Sequence, residues 1–345
     1  MIEQTEFAVQ HLRFTVEALT PLVLPAHAGP SLRGALFGAL QRHFCPLPSS
    51  ETPDAAHKAV CPVCWLMSTE KPAGQRGRDV PRPYTVEPPL GIDENDWQAQ
   101  YYEAGQRFTF GLTLFAQARD LFPYLVVAMP LMGEAGLGVP IEENAPLDRP
   151  GWRRRGKFVL RRIEAWNSLG GERALLFGEE QTTVHMPDLP VSGQDIAAAS
   201  RSLLDRMGPS GLVQLHFWTP TRIVDRGRLV HRPRPGPLLR RLLERLDALR
   251  GEYAGQPPVA DREALLAQAD EVRLVQDFTR WVDVRSHSRR LKRSTPVGGF
   301  LGRATYQAAP GIWEALLPLL LWGQEIHVGK NATKGDGWYG VRIGE

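Results

Sequence analysis

The chain opens with a strand that turns directly into a helix, and the same order recurs in its second half. Residues 7–24, FAVQHLRFTVEALTPLVL, carry Phe14, Val16 and Ala18 at every second position, the spacing that puts apolar side chains on one face of a half-buried strand. A turn holding Pro25, Gly29 and Pro30 leads into SLRGALFGALQRHF (31–44), where Leu32, Leu36, Ala39 and Leu40 share one helical face and Ser31 is the expected N-cap. Further on, GLVQLHFWTPTRIV (211–224) reads as a strand with a Thr-Pro interruption. PLLRRLLERLDALRG (237–251) then reads as a helix with Leu239, Leu242, Leu246 and Leu249 on one face. Neither half has the regular βαβ rhythm of a large parallel sheet, so the pattern predicts two small α+β units.

The rest of the chain fits that division. RFTFGLTLFA (107–116), LFPYLVVAMPLM (121–132) and KFVLRRIEAW (157–166) predict strand, helix and strand, with the glycine-rich GEAGLGV (133–139) joining the last two. Residues 46–82, rich in Pro, Ser and Gly, predict an irregular insertion. PDLPVSGQD, a short helix and MGPSG fill residues 187–211 and place a domain boundary near residue 205, giving domains 1–205 and 206–345. Strands are expected through FTRWVDVRSHSRR (278–290) and VGGFLGRATYQ (297–307), and a helix over IWEALLPLLLWGQEI (312–326). No uncharged apolar run reaches the ~18 residues of a membrane span, and MIEQTEFAVQHLRF lacks the basic-then-apolar order of a signal peptide. The expectation is a cytoplasmic protein with no membrane partner.

Charge is distributed unevenly. Residues 206–345 hold 22 Lys and Arg against 14 Asp and Glu, net +8, which leaves 19 against 24, net −5, for residues 1–205. The second half is therefore suited to an anionic partner, nucleic acid before membrane, since no basic amphipathic surface helix accompanies the charge. A scaffold whose basic face meets an acidic protein is the alternative. Arg280, Arg285, Arg289, Arg290, Lys292, Arg293 and Arg303 are interrupted by one acid, Asp283. In an extended strand Arg285, His287 and Arg289 fall on one face, where they could follow a phosphate backbone. WRRRGK (152–157) is a smaller basic cluster in the first half.

HVGKNATKGDGWYGV (327–341) is neither a Walker loop nor a dinucleotide fingerprint. Its glycines let backbone N–H groups approach an anion while Lys330 and Lys334 add charge, or they simply make a tight connection between the last helix and the last strand.

Four stretches in one order, LPAHAGPSLRGALFGAL (24–40), LHFWTPTRI (215–223), WVDVRSHSRRLKRSTPVGGFLGRATY (281–306) and HVGKNATKGDGWYGV, resemble the CRISPR-associated pre-crRNA-processing endoribonucleases of the RAMP superfamily. The resemblance implies an α+β chain of two tandem ferredoxin-like, RRM-like βαββαβ domains with a glycine-rich loop near the C-terminus. It also implies cleavage of repeat RNA without a catalytic metal: the ribose 2′-OH attacks the adjacent phosphate, leaving a 2′,3′-cyclic phosphate and a 5′-OH. Partners would be pre-crRNA, crRNA and other Cas effector subunits. A non-catalytic RAMP subunit that holds guide RNA shares these motifs and stays open. Such chemistry needs a base, an acid and positive charge on the developing dianion. In the family a catalytic histidine often lies on or just beyond the first helix, which implies His43, with His27 second. Arg33, Arg42, Lys330 and Lys334 are candidates for charge stabilisation. The implied RNA-binding set is Arg33, Arg285, His287, Arg289, Arg290, Lys292, Arg293, Lys330, Asn331 and Lys334. Trp338 and Tyr339 either stack on an unpaired base or belong to the core. Asp336, inside the loop, is expected to point away from phosphate or to pair with a lysine or arginine.

Cys61 and Cys64 form a CPVC knuckle, with Cys45 upstream and His57 four residues before Cys61. Three thiolates and one imidazole would close a tetrahedral structural zinc site. Reduced buried cysteines are the alternative. Were His43 the fourth ligand in place of His57, it could not serve catalysis.

Overall fold

The computed structural model describes residues 6–48, 51, 53–67, 80–91, 97–288 and 293–344, with side chains omitted at 286–288 and 293–295. They form two compact units. One comprises residues 10–167 and 172–190; the other comprises 191–345 together with 168–171 and the residues before Gln10.

The first unit contains β1 (Val9–Ala18), β2 (Leu22–Leu24), α1 (Gly29–Phe44), α2 (Ala55–Val60), α3 (Pro62–Met67), β3 (Tyr84–Glu87), β4 (Gln100–Tyr102) and β5 (Arg107–Phe115). It continues with α4 (Phe122–Ala135), β6 (Leu137–Ile141), β7 (Arg154–Gly156), β8 (Phe158–Trp166) and β9 (Arg173–Phe177). Its main sheet runs in the order β3-β5-β1-β8-β9. With β1, β3, β5 and β8 taken as strands one to four, and α1 and α4 as the two crossovers, this is an antiparallel βαββαβ sheet in the order 2-3-1-4, the ferredoxin-like arrangement. Leu12, Phe14 and Val16 of β1 meet Leu32, Leu36 and Leu40 of α1 and Leu125, Met129 and Met132 of α4 in one core. Each such side chain contributes roughly 1.5–3 kcal/mol by leaving water.

The second unit begins with α5 (Gly193–Arg206), β10 (Leu212–Thr221), β11 (Ile223–Asp225), β12 (Arg228–Val230), α6 (Pro235–Ala254) and α7 (Arg262–Glu271). It ends with β13 (Arg273–Val282), β14 (Arg285–Ser288), β15 (Arg293–Pro296), β16 (Gly299–Gln307), α8 (Pro310–Ile326) and β17 (Tyr339–Ile343). The sheet order β13-β16-β10-β17 repeats the 2-3-1-4 topology, with α6 and α8 as the crossovers. Phe217 and Phe300 pack edge to face with their centroids 4.9 Å apart, and Leu242, Leu246, Trp313 and Leu316 are buried with them. The tandem ferredoxin-like expectation holds in both halves.

Four local readings are corrected. The first helix starts at Gly29, not Ser31, because Pro30 suits the first turn, where its missing N–H is no loss. Within the expected irregular insertion, residues 55–67 form α2 and α3, the former capped by the Asp54 carboxylate accepting from the His57 N–H at 2.7 Å. The expected strand over 278–290 is two strands, because β13 ends at Val282 and β14 pairs with β15 as a separate hairpin. The compact units part at residues 190 and 191 instead of near 205. The reason is α5, capped reciprocally by Ser192 and Asp195, which buries Ile196 and Leu203 and packs on α8. Among the described residues no helix is long and apolar enough to cross a membrane.

Candidate functional site

Helix α1 positions His43. Its buried face, Leu32, Leu36, Ala39 and Leu40, recurs at helical spacing, which leaves Arg42 and His43 exposed in the last turn. The residues after them are anchored: the Phe44 ring meets Tyr124 of α4 edge-on at 5.4 Å, and Cys45 approaches His57 and Cys64. His43 is thus an exposed imidazole on a fixed helix end. Arg42 donates from Nε to the Gly38 carbonyl at 2.9 Å, which holds its guanidinium along the helix. The fixed positive charge of Arg42 suits the negative end of the helix dipole.

The other candidates on this helix are placed differently. His27, half-buried, lies before α1 with its ring 6.1 Å from that of Trp97. The helix separates it from His43 by roughly 20 Å at 1.5 Å per residue, so the two cannot serve one phosphate. Arg33 is half-buried and donates to the Tyr84 hydroxyl at 3.2 Å and the Met67 carbonyl at 3.5 Å, bonds that tie α1 to β3 and α3.

Cys45, His57, Cys61 and Cys64 converge, their ligand atoms all within 4.8 Å of one another. Cys45 Sγ lies 3.7 Å from Cys64 Sγ and 3.4 Å from His57 Nε2. A tetrahedron with Zn–S and Zn–N bonds of ordinary length has edges of about 3.8 and 3.5 Å, so the donor set fits zinc. His57, not His43, completes the group. Burial, then the hydrogen bond with Cys45 and the neighbouring sulfurs, pushes the Cys64 thiol up to about 12, since none of these groups compensates a thiolate.

In the second unit, residues 327–338 fold back on the end of β10. Val328 N–H donates to Gly337 O at 3.0 Å, Lys330 N–H to Arg222 O at 3.0 Å, and Gly337 N–H to Pro220 O at 3.1 Å. Trp338 N–H donates to Thr219 Oγ1 at 2.9 Å. The loop's entry is secured by Arg245, whose Nε donates to the Ile326 carbonyl at 2.8 Å; burial pushes that guanidinium down to about 10. Gly329 and Gly337 have φ of +86° and +73°, and a Cβ on Gly337 would stand 1.8 Å from Val328 O. Lys330 is exposed, and Asn331 and Lys334 are half-buried. Asp336 is buried. Tyr339 is a core residue whose hydroxyl donates to Leu320 O at 2.7 Å, and burial raises it well above an ordinary phenol. Trp338 is half-buried, its ring parallel to His327 at 5.9 Å.

Arg285, on β14, is exposed. His287 and Arg293 stand on β14 and β15, while Arg289, Arg290 and Lys292 lie outside the described residues. In WRRRGK, Arg153 is paired with Glu142 at 2.8 Å. A further basic group escapes the sequence reading. Arg226, Arg228, Arg232 and Arg234, around the β11–β12 hairpin and the start of α6, are all exposed, while the adjacent Asp225 is engaged by Arg240 and Arg241 at 3.4 Å. The density of arginine in DRGRLVHRPR is the signal that could have found it.

Two family models match: residues 7–189 match AF_1859_N, described as an N-terminal domain, and residues 215–339 match CRISPR-associated endoribonuclease Cas6. Among solved structures, a Thermus thermophilus Cas6 is 16% identical with a TM-score of 0.52, covering 98% of this chain and 99% of its own. A Cas6 product complex is 17% identical with a TM-score of 0.52, covering 96% and 99%. A Cas6-RT-Cas1–Cas2 complex has a TM-score of 0.57 at 14% identity; all of this chain is covered but only 30% of that one, so the present chain spans under a third of that relative. At these identities the structures show a shared fold. No curated protein matches. Two 2-3-1-4 sheets in tandem define a tandem ferredoxin-like protein. The chain carries a domain of the CRISPR-associated endoribonuclease Cas6 family over residues 215–339, behind an N-terminal half that belongs to the AF_1859_N type.

Proposed function

We propose that this protein binds the repeat RNA of a CRISPR transcript and cuts once in each repeat by attack of a ribose 2′-OH on the adjacent phosphate. The products are a 2′,3′-cyclic phosphate and a 5′-OH. The observation that carries the reading is His43, an exposed imidazole on an anchored helix end in a chain of this family. Histidine titrates near neutrality, so it can take the 2′-OH proton or protonate the leaving 5′ oxygen. Arg42, its neighbour, offsets charge on the pentacoordinate phosphorane, and Lys330 is assigned to phosphate charge as well. Arg285, His287, Arg289, Arg290, Lys292 and Arg293, with Asn331 and Lys334, hold the RNA chiefly through phosphates and shape, since the deep groove of A-form RNA is closed to side chains. Arg33 acts by tying down α1. The partners are the repeat RNA before and after cutting and other Cas subunits, in keeping with a relative solved as a product complex.

The reaction draws on no metal. Cys45, His57, Cys61 and Cys64 are assigned to a structural zinc, which would supply the charge that lets buried thiolates persist.

Incubation with cognate repeat RNA in EDTA tests the mechanism. The wild-type protein is expected to yield one cut with the stated ends, and His43→Ala to be slower by about 10²–10⁴-fold with RNA affinity retained. His27→Ala should cut normally. Tight binding without cleavage by the wild type would make the protein a guide-RNA-holding subunit, and a His43→Ala protein at full rate would remove His43 from the mechanism.

A further inference from the structure

Among the described residues, strand β13 forms an edge of the second unit's sheet and pairs only with β16. The register sets Phe278 opposite Arg303 and Arg280 opposite Leu301, while Asp277 and Trp281 are set opposite Ala304 and Phe300. Because side chains alternate across a strand, these pairs divide between two faces. Ala304 and Phe300 are buried in the core, so Asp277 and Trp281 are on the core side of the edge. Phe278, Arg280 and Arg303 alternate with these and are themselves exposed, which puts them on the other face, next to Leu301, which is buried.

Phe278 is 72% exposed, more than any other Phe, Tyr or Trp among the described residues. Arg280 and Arg303 beside it are exposed as well. An apolar ring held open on an edge strand is a hazard for self-association unless it has an occupant. Neither Asp277 of the strand nor Asp283, just past its end, is directed to this face. Asp277 accepts from the Thr279 hydroxyl and N–H at 2.5 and 3.1 Å, and Asp283, two positions past Trp281 on the same side, accepts from the Trp281 indole at 3.1 Å. The surface around Phe278 therefore combines one rigid ring with two cations and no carboxylate of β13. That is the composition of a stacking platform for single-stranded nucleic acid, in which a base lies on the ring and flanking phosphates meet the arginines.

We infer that Phe278, with Arg280 and Arg303, binds an unpaired RNA segment through base stacking. The segment is one outside any hairpin stem, since a paired base has no free face to offer. The site rests on the RNA-binding reading above and adds a sequence-tolerant contact to those assigned to the glycine-rich loop and to His43. Stacking gives an affinity that depends on the presence of a base and little on its identity, whereas the arginines contribute a salt-sensitive part.

Fluorescence anisotropy with a short labelled oligoadenylate, an abasic oligomer of the same length and the cognate repeat RNA tests the inference. Phe278→Ala is expected to weaken oligoadenylate binding by about tenfold, Phe278→Trp to restore it, and both to bind the abasic oligomer as the wild type does. The salt slope should be unchanged in Phe278→Ala and shallower by about 0.7 in Arg303→Gln. Phe278 is exposed, so its removal should leave the thermal midpoint in place. If wild type and Phe278→Ala bind oligoadenylate equally while the wild type still binds repeat RNA, the platform is overturned and the proposed function stands. If the wild type binds none of the RNAs, both fall. Self-association of the wild type that Phe278→Ala abolishes, with RNA affinity unaltered, would overturn the platform and assign the face to a second copy of the chain.

Discussion

Gly337 and Gly34 are the same residue in different circumstances, and the contrast decides what each is for. Gly337 has a positive φ, and its missing Cβ makes room for the Val328 carbonyl; Gly34 lies mid-helix with nothing within 4 Å of where a Cβ would stand. Gly337→Ala therefore meets both a left-handed backbone penalty and a backbone clash, for an expected loss of ~3 kcal/mol or more. Gly34→Ala should instead stabilise by ~0.5–1 kcal/mol, since alanine loses less chain entropy in a helix. Urea midpoints of the two variants measure this directly; equal shifts would refute the account. The loop's glycine content is visible in the sequence, but which glycine is indispensable depends on φ and on a neighbour, Val328, elsewhere in the loop. The same holds for the histidines: His43 and His27 are both legible as candidates, while their separation along α1 is needed to show that they cannot share a phosphate.

At the scale of elements, α2 and α3 show where composition misleads. Residues 46–82 contain the proline and serine expected of a loop, yet Asp54 caps α2 and Pro62 begins α3, with Val63, Leu66 and Met67 buried in the first unit's core. Two helices of six residues are too short to persist on their own. Apolar burial supplies part of their support, and the Cys45, His57, Cys61 and Cys64 cluster would supply the rest by binding zinc. The purified protein is expected to carry about one zinc per chain, read by elemental analysis, and Cys61→Ser/Cys64→Ser to carry none. Loss of the metal should lower the thermal midpoint by roughly 5–10 °C, with new protease cutting between residues 46 and 67. Absence of zinc from the wild type, or an unchanged midpoint in the double variant, would leave the cysteines as ordinary reduced thiols. The CPVC spacing makes the ligands legible. Their convergence is not, because Cys45 belongs to the end of α1 and reaches the knuckle only through the fold.

For the whole molecule, the sequence predicts the class of fold better than its division. Strand and helix periodicities are local, and both βαββαβ units follow from them. The boundary depends on which core receives α5, a question of tertiary packing that periodicity cannot answer. Charge is legible at this scale because it needs no fold at all: a second half at net +8 against a first half at −5 points to an anion bound by that half. The structure adds that Arg226, Arg228, Arg232, Arg234, Arg280, Arg285 and Arg303 are all exposed there. If about six or more phosphates are neutralised by such side chains, binding of repeat RNA should weaken by ~10³-fold or more between roughly 50 and 200 mM salt, as condensed counterions are released. Replacing Arg226 and Arg228 by Gln should flatten the logarithmic slope by about 0.7–0.9 for each phosphate they no longer neutralise, without selecting among repeat sequences. A slope near zero in the wild type would mean that base contacts and shape carry the affinity. In that case the charge asymmetry would concern solubility alone, because arginines that release no counterions are not at the RNA.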